Sequence, residues 1–308
     1  MSLAPPPALR ADARAAVLAW YDARGRALSF RGTRDPYAIL VSEVMAQQTQ
    51  VSRVVEAWSR FLDRFPTVRD LATASPANVL RAWRGMGYDR RALNLQRTAR
   101  AIVADHGGVV PRDVETLERL PGIGPYTARA VASIAFGIPV GAVDTNVRRV
   151  LGRALAGGAG MSSAELQAAA DASVEPGRPA DWTHALMDVG ATLCRPGRPR
   201  CPECPLLTWC RFAGERGSEA APAPVARLSR PRNSGTGSPV PFQATSRWLR
   251  GRIVDRLRDA DGSAWTRVDP RIGEHDAVAI DAALMALARD GIVELDPDEP
   301  RRARLTTV

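Results

Sequence analysis

An all-α fold is predicted for most of this 308-residue chain, on three observations. Between Ala11 and about Arg211 apolar residues recur at helical spacing, as in Val17, Leu18 and Tyr21. Alternating strand patterns are scarce over the same stretch. Short breakers, Phe65-Pro66-Thr67 and Gly107-Gly108 among them, cut it into segments of helix length. Apolar residues make up 45% of the chain, enough to bury a core and too many for a disordered one.

Taken in order, the first ten residues, with Pro5 to Pro7, are expected to be a loose arm. A helical domain follows over 11–214. Residues 215–241 are rich in Pro, Gly and Ser and read as a flexible linker. The remaining module, 242–308, holds two helical patterns, Trp248–Arg258 and Asp276–Asp290. Gly291–Leu295 with Arg304–Thr306 could pair as a hairpin, giving the elements of a winged helix. No internal repeat is evident.

The formal net charge is +9 and the isoelectric point about 10.5, which points to an anionic partner, most commonly nucleic acid. No apolar run reaches the length of a membrane span. The N-terminus lacks the basic and apolar stretches of a secretory signal, so a cytoplasmic location is expected. All 42 basic residues are arginine. A GC-rich genome would account for that bias, and its chemical consequence is that no side-chain amine can form a Schiff base.

Two motifs carry chemistry. Cys194, Cys201, Cys204 and Cys210 are the only cysteines, spaced C-x6-C-x2-C-x5-C in one Pro- and Arg-rich loop. Four such thiolates can surround an iron–sulfur cubane, a [4Fe-4S] cluster. Structural zinc is the rival, although its sites more often show two close Cys pairs and only Cys201 and Cys204 are paired here. Disulfides are disfavoured in a reducing compartment. The second motif is Leu120-Pro121-Gly122-Ile123-Gly124-Pro125-Tyr126-Thr127-Ala128, between two helical segments. A hairpin with Gly122 and Gly124 would free backbone amides at a helix start to bind phosphate without reading sequence. An ordinary glycine-bearing helix connection would look the same.

The hairpin, the following VDTNVRRV and the four-cysteine loop together resemble the endonuclease III superfamily of helix-hairpin-helix DNA glycosylases. Within it, DPYAILVSEVMAQQTQV, RFPTVRDLA, GMGYDRRALNL and HGGVVPRD resemble the A/G-mismatch adenine glycosylases, the MutY family. The match runs in order over residues 14–213. It implies a base-excision enzyme whose partner is double-stranded DNA holding an A mispair, with no membrane partner, acting as a monomer in the cytoplasm on the bacterial nucleoid.

The residues make chemical sense in that light. Glu43 lies in an apolar helical run, and burial would raise its pKa toward that of a general acid. The resemblance assigns it protonation of adenine N7 and later activation of water. Asp144 precedes a helix over Thr145–Leu155, where Asp is a favoured cap. The resemblance makes it the carboxylate that faces or traps the sugar cation. Tyr126 and Asn146 resemble the neighbours that orient the two acids, with Tyr126 standing where lyase relatives carry lysine. Gln48 and Tyr88 resemble residues inserted into the base stack when the target base flips.

Departures from the family pattern are Ser29-Phe30-Arg31 for Pro-Trp-Arg, Ala46 for a leucine, Tyr88-Asp89 for paired tyrosines, and Asp188 for a longer acid expected to contact adenine. Arg31 is carried over as a substrate-facing residue. Longer members add a Nudix-like domain that reads 8-oxoguanine, for which 242–308 is too short. The arginines at 247, 250, 252, 256 and 258 are expected to supply phosphate contacts instead. A thymine or uracil mismatch glycosylase is the alternative within the superfamily. A non-catalytic DNA-binding iron–sulfur protein is the alternative from another class, and retention of both Glu43 and Asp144 argues against it.

Overall fold

Helices dominate the computed structural model, which describes residues 6–216, 241–260 and 264–307. The linker expected at 215–241 lies almost wholly outside the described residues. The chain divides into two units, each discontinuous in sequence. The first comprises Met1–Glu43, Arg112–Arg119 and Ile123–Arg230, the second Val44–Pro111, Leu120–Gly122 and Pro231–Val308. No helix among the described residues is long and apolar enough to cross a membrane.

The first unit is built on the helices Ala11–Arg24, Pro125–Phe136, Thr145–Ala156, Ser163–Ala172 and Pro179–Asp188. Their apolar stripes, including Val17, Leu18, Val150, Leu151, Leu166, Trp182 and Leu186, merge into one core, and the cysteine loop packs against it through Leu206. Helix ends follow local chemistry: Ser162 and Glu165 form a reciprocal capping box. The expected loose arm is corrected at its inner end. Leu9 is buried, and its amide donates to Ser173 Oγ at 2.9 Å. An apolar residue two positions before a helix gains more from that pocket than the arm gains in freedom.

In the second unit, Val51–Arg64, Val68–Thr73, Pro76–Ala82 and Arg90–Asp105 enclose Phe61, Leu71, Leu80, Trp83, Leu95 and Ile102. The breaker Phe65-Pro66-Thr67 ends one helix, and Thr67 caps the next in a box with Asp70. The C-terminal module belongs to this unit. It holds the helices Ser246–Asp259 and Ala277–Arg289 and strands β1 (Thr266–Arg267), β2 (Val293–Leu295) and β3 (Arg302–Leu305). The sheet is antiparallel in the order β1-β3-β2. The module thus runs helix, strand, helix and hairpin, with two of the three helices of a winged helix among the described residues. The two-residue β1 is too short to leave a periodic signal in the sequence.

Candidate active site

Glu43 sits on the helix Pro36–Ala46 among Ile39, Leu40, Val41, Val44 and Met45, all buried, and is itself 7% exposed. Tyr126, in the first turn of Pro125–Phe136, donates its hydroxyl to Glu43 Oε2 at 2.7 Å. Burial pushes the Glu43 carboxyl above its ordinary value. The Tyr126 hydrogen bond and the charge of Arg31 offset this in part, while the charge of Asp144 adds to it. The phenol is likewise raised, by burial and then by Glu43, so it remains a donor. With Oε2 occupied as an acceptor, a proton on Glu43 resides on Oε1.

Asp144 caps the helix Thr145–Ala156, its Oδ1 accepting the amides of Asn146 at 2.8 Å and Val147 at 2.7 Å. Asn146 Nδ2 donates to Asp144 Oδ2 at 2.7 Å. The amide's orientation is set from its other end, where Arg149 donates to Asn146 Oδ1 at 2.8 Å. Arg149 also donates to the carbonyls of Gly190, at 2.6 Å, and Cys194. Two backbone amides, the Asn146 side chain and the helix N-terminus thus all converge on the Asp144 carboxyl group. Glu43 and Tyr126 form one hydrogen-bonded pair and Asp144 and Asn146 another, with the charge of Asp144 felt at Glu43.

Asp188 is placed differently from expectation. It is fully buried, and its oxygens are held by Arg31 at 2.8 Å and by Arg26 at 2.7 Å through Nε. Burial opposes its ionisation, but the Arg31 hydrogen bonds and charge hold its carboxyl below the usual range. Both carboxylate oxygens of Asp188 are thus engaged by Arg26 and Arg31. Arg26 carried no signal in the sequence because nothing local to it marks a distant ion pair.

Gln48 and Tyr88 lie on the second unit. Among the described residues, non-glycine positive φ occurs at Gln48 (53°), Tyr88 (49°) and Arg301 (59°). A left-handed backbone at a glutamine and a tyrosine is unusual and is retained only where the surroundings impose it. Arg91 imposes it. Its guanidinium donates to the carbonyls of Met45 at 3.0 Å, Gln47 at 2.5 Å, Met86 at 3.0 Å and Gly87 at 3.1 Å, and to Thr49 Oγ1 at 3.0 Å. One arginine thereby ties both turns together, and sequence reasoning missed it. Ala46, the smaller residue expected near a base, is half-buried.

Gly122 has φ +79°, and a Cβ there would lie 2.8 Å from Asn94 Cβ, so both backbone and space require glycine. Gly124 caps the helix Pro125–Phe136, whose first amides have no partner within the helix. In the cysteine loop the four thiols are unpaired by disulfides and line one pocket with Arg153, Leu193, Pro199, Leu207, Phe212 and Ala213. Buried Arg153 donates to Cys194 Sγ at 3.2 Å. Burial pushes the Cys204 thiol up to about 12. The donor set suits a thiolate-ligated group, whose positive charge would reverse that preference. Among the described residues, no three His, Cys, Asp or Glu side chains converge on a single-ion site.

Residues 41–176 match the HhH-GPD superfamily of base excision DNA repair proteins. The chain is 42% identical to an adenine DNA glycosylase of Mycolicibacterium smegmatis over 92% of each chain. It is 46% identical to the human adenine DNA glycosylase over 64% of this chain and 39% of the human protein. Among solved structures, a thermostable thymine-DNA glycosylase matches at 29% identity with a TM-score of 0.62, covering 66% of this chain and 95% of that one. A non-covalent endonuclease III–DNA complex matches at 28% identity with a TM-score of 0.57, covering 66% and 94%. Similarity that extends over nearly the whole length of a relative, together with the hairpin and the carboxylate constellation, shows that the chain belongs to the adenine DNA glycosylases of the helix-hairpin-helix base-excision superfamily.

Proposed function

We propose that this chain is a monofunctional glycosylase that hydrolyses the N-glycosidic bond of adenine mispaired with guanine or 8-oxoguanine in double-stranded DNA. The observation that carries the reading is Glu43, buried, raised in pKa and held at Oε2 by Tyr126, in one unit with the capped carboxylate Asp144. Cleavage needs a protonated leaving base and a stabilised sugar cation. Glu43 supplies the proton from Oε1 to adenine N7, and the resulting carboxylate then accepts a proton from the attacking water. Asp144, held by two amides and Asn146, faces the developing positive charge.

The amides opening Pro125–Phe136 bind a phosphate, and Gln48 and Tyr88 enter the base stack as the adenine leaves it. Cys194, Cys201, Cys204 and Cys210 would hold a [4Fe-4S] cluster, which when bound orders the loop around it and contributes charge. The enzyme acts as a monomer in the cytoplasm, on nucleoid DNA. Absence of lysine, with Tyr126 at the key position, makes the product an unbroken abasic strand.

The similarity to a thymine-DNA glycosylase favours one other reading, removal of thymine or uracil. The adenine reading has greater support because the 42% relationship extends across both chains, including the C-terminal module. A panel of duplexes with A, T or U opposite G or 8-oxoguanine separates the two. Adenine release with an alkali-sensitive intact strand is expected, and its loss in Glu43→Gln with duplex binding retained. Release of T or U in preference to A would overturn the proposal, as would normal turnover by Glu43→Gln.

A further inference from the structure

The C-terminal module poses a question that its arginines do not answer in the expected way. Residues 242–308 carry eleven arginines against twelve acidic residues, so the positive charge of the chain resides elsewhere. The arginines expected to meet phosphate are committed within the protein. Arg250 pairs with Asp290, Arg252 with Asp255 and Arg256 with Asp269. Ala277–Arg289, which occupies the place of a winged helix's groove-reading element, has Arg289 as its one basic residue and exposes Val278 and Met285. This surface is poorly suited to a nucleic acid.

Two arginines of Ser246–Asp259 point instead at the turn that carries Tyr88. The Arg247 guanidinium lies 4.1 Å from the centroid of the Tyr88 ring. Arg258, with 4% of its side chain exposed, donates to Asp89 Oδ1 at 2.6 Å, to Asp255 Oδ1 at 2.9 Å and to the Leu80 carbonyl at 2.9 Å. Asp89 is one of the positions where the chain departs from its family's pattern, and its partner lies 169 residues later. The strained residue Tyr88 is therefore gripped from one side by Arg91, 5.5 Å from its ring, and from the module by Arg247.

We propose that the C-terminal module is a brace for the Tyr88–Asp89 turn, with Arg247 the positioning residue for the Tyr88 ring and the Arg258–Asp89 pair the anchor. The brace rests on the reading of Tyr88 as a base-stack residue. Its benefit is preorganisation: a ring already ordered loses little freedom on entering DNA. Stacking of a guanidinium on the phenol is the force, and a solvent-facing contact of this kind corresponds to a few-fold effect.

Full-length wild type, Arg247→Ala, Tyr88→Ala and the double variant decide the matter. Single-turnover adenine release is measured on a duplex with A opposite 8-oxoguanine, and the salt dependence of binding on an undamaged duplex. Arg247 is exposed, so an unchanged thermal midpoint is expected to show that its variant is folded. Arg247→Ala should slow release about two- to tenfold, from the strength of such a contact. It should cost nothing further in the Tyr88→Ala background, and the salt slope should be unaltered. Losses that multiply in the double variant, or a slope reduced by about 0.9, would make Arg247 a phosphate contact and overturn the brace. An Arg247→Ala enzyme of normal rate beside an impaired Tyr88→Ala also overturns it while sparing the proposed function. A normal Tyr88→Ala enzyme removes the base-stack reading and the brace with it.

Discussion

Glu43 shows how one residue's surroundings set both chemistry and stability. Its carboxyl is raised because burial withholds water from the anion, with Asp144 adding repulsion. A raised native pKa means that the folded chain holds this proton more tightly than the unfolded one. The resulting stabilisation is complete below the ordinary value of 4.5 and is lost as pH rises through the native value. Glu43→Gln cannot ionise. It should therefore gain stability relative to wild type as the pH is raised, seen as urea midpoints that diverge as the pH rises above 4.5. Midpoints that run parallel would mean the carboxyl titrates normally.

At the scale of elements, the helix Pro179–Asp188 runs on into a π-helical turn, Val189–Leu193, just before Cys194. Such turns displace a helix locally and recur at functional sites. Here the turn presses Gly190 against Asn146, where a Cβ would come within 2.5 Å of Asn146 Cβ. Gly190→Ala must move either the turn or Asn146, and Asn146 is the hydrogen-bond partner of Asp144. The expected result is a fall of more than tenfold in adenine release, with an overpacking cost of about 1–3 kcal/mol read from chemical denaturation. An alanine enzyme of full activity would show that Asp144 does not depend on this contact.

For the whole molecule, the relevant division is of charge. The C-terminal module is close to neutral by composition, and the remainder carries the excess of arginine that nucleic acid requires. The module is instead tied into its unit by ion pairs, of which Arg258–Asp89 is the most buried, with side chains 4% and 12% exposed. Breaking such a pair from one side leaves an uncompensated charge. Arg258→Ala should cost about 3–5 kcal/mol of unfolding free energy. Replacing both partners, as Arg258→Met with Asp89→Asn, should recover much of that. Equal stability of the single and double variants would indicate that the pair is not desolvated in solution.

By itself the sequence determined the all-α class, the helix boundaries at Thr67 and Asp144, the hairpin with Gly122 and Gly124, and the cysteine spacing. Each is a local property: helical period, capping chemistry, positive φ and ligand spacing are written within a few residues of chain. It also singled out Glu43, Asp144, Tyr126 and Asn146 as candidates, because motifs that are contiguous in sequence carry them. What only the tertiary structure decided are the partners of long side chains. Asp188 pairs with Arg26 and Arg31, Arg91 joins two turns, and Arg247 and Arg258 reach Tyr88 and Asp89. An arginine's guanidinium lies at the end of a flexible stem, and desolvated pairing with a carboxylate is gained only when the fold delivers one. In a chain whose 42 cations are all arginine, sequence gives the supply of charge and packing chooses where each one is spent.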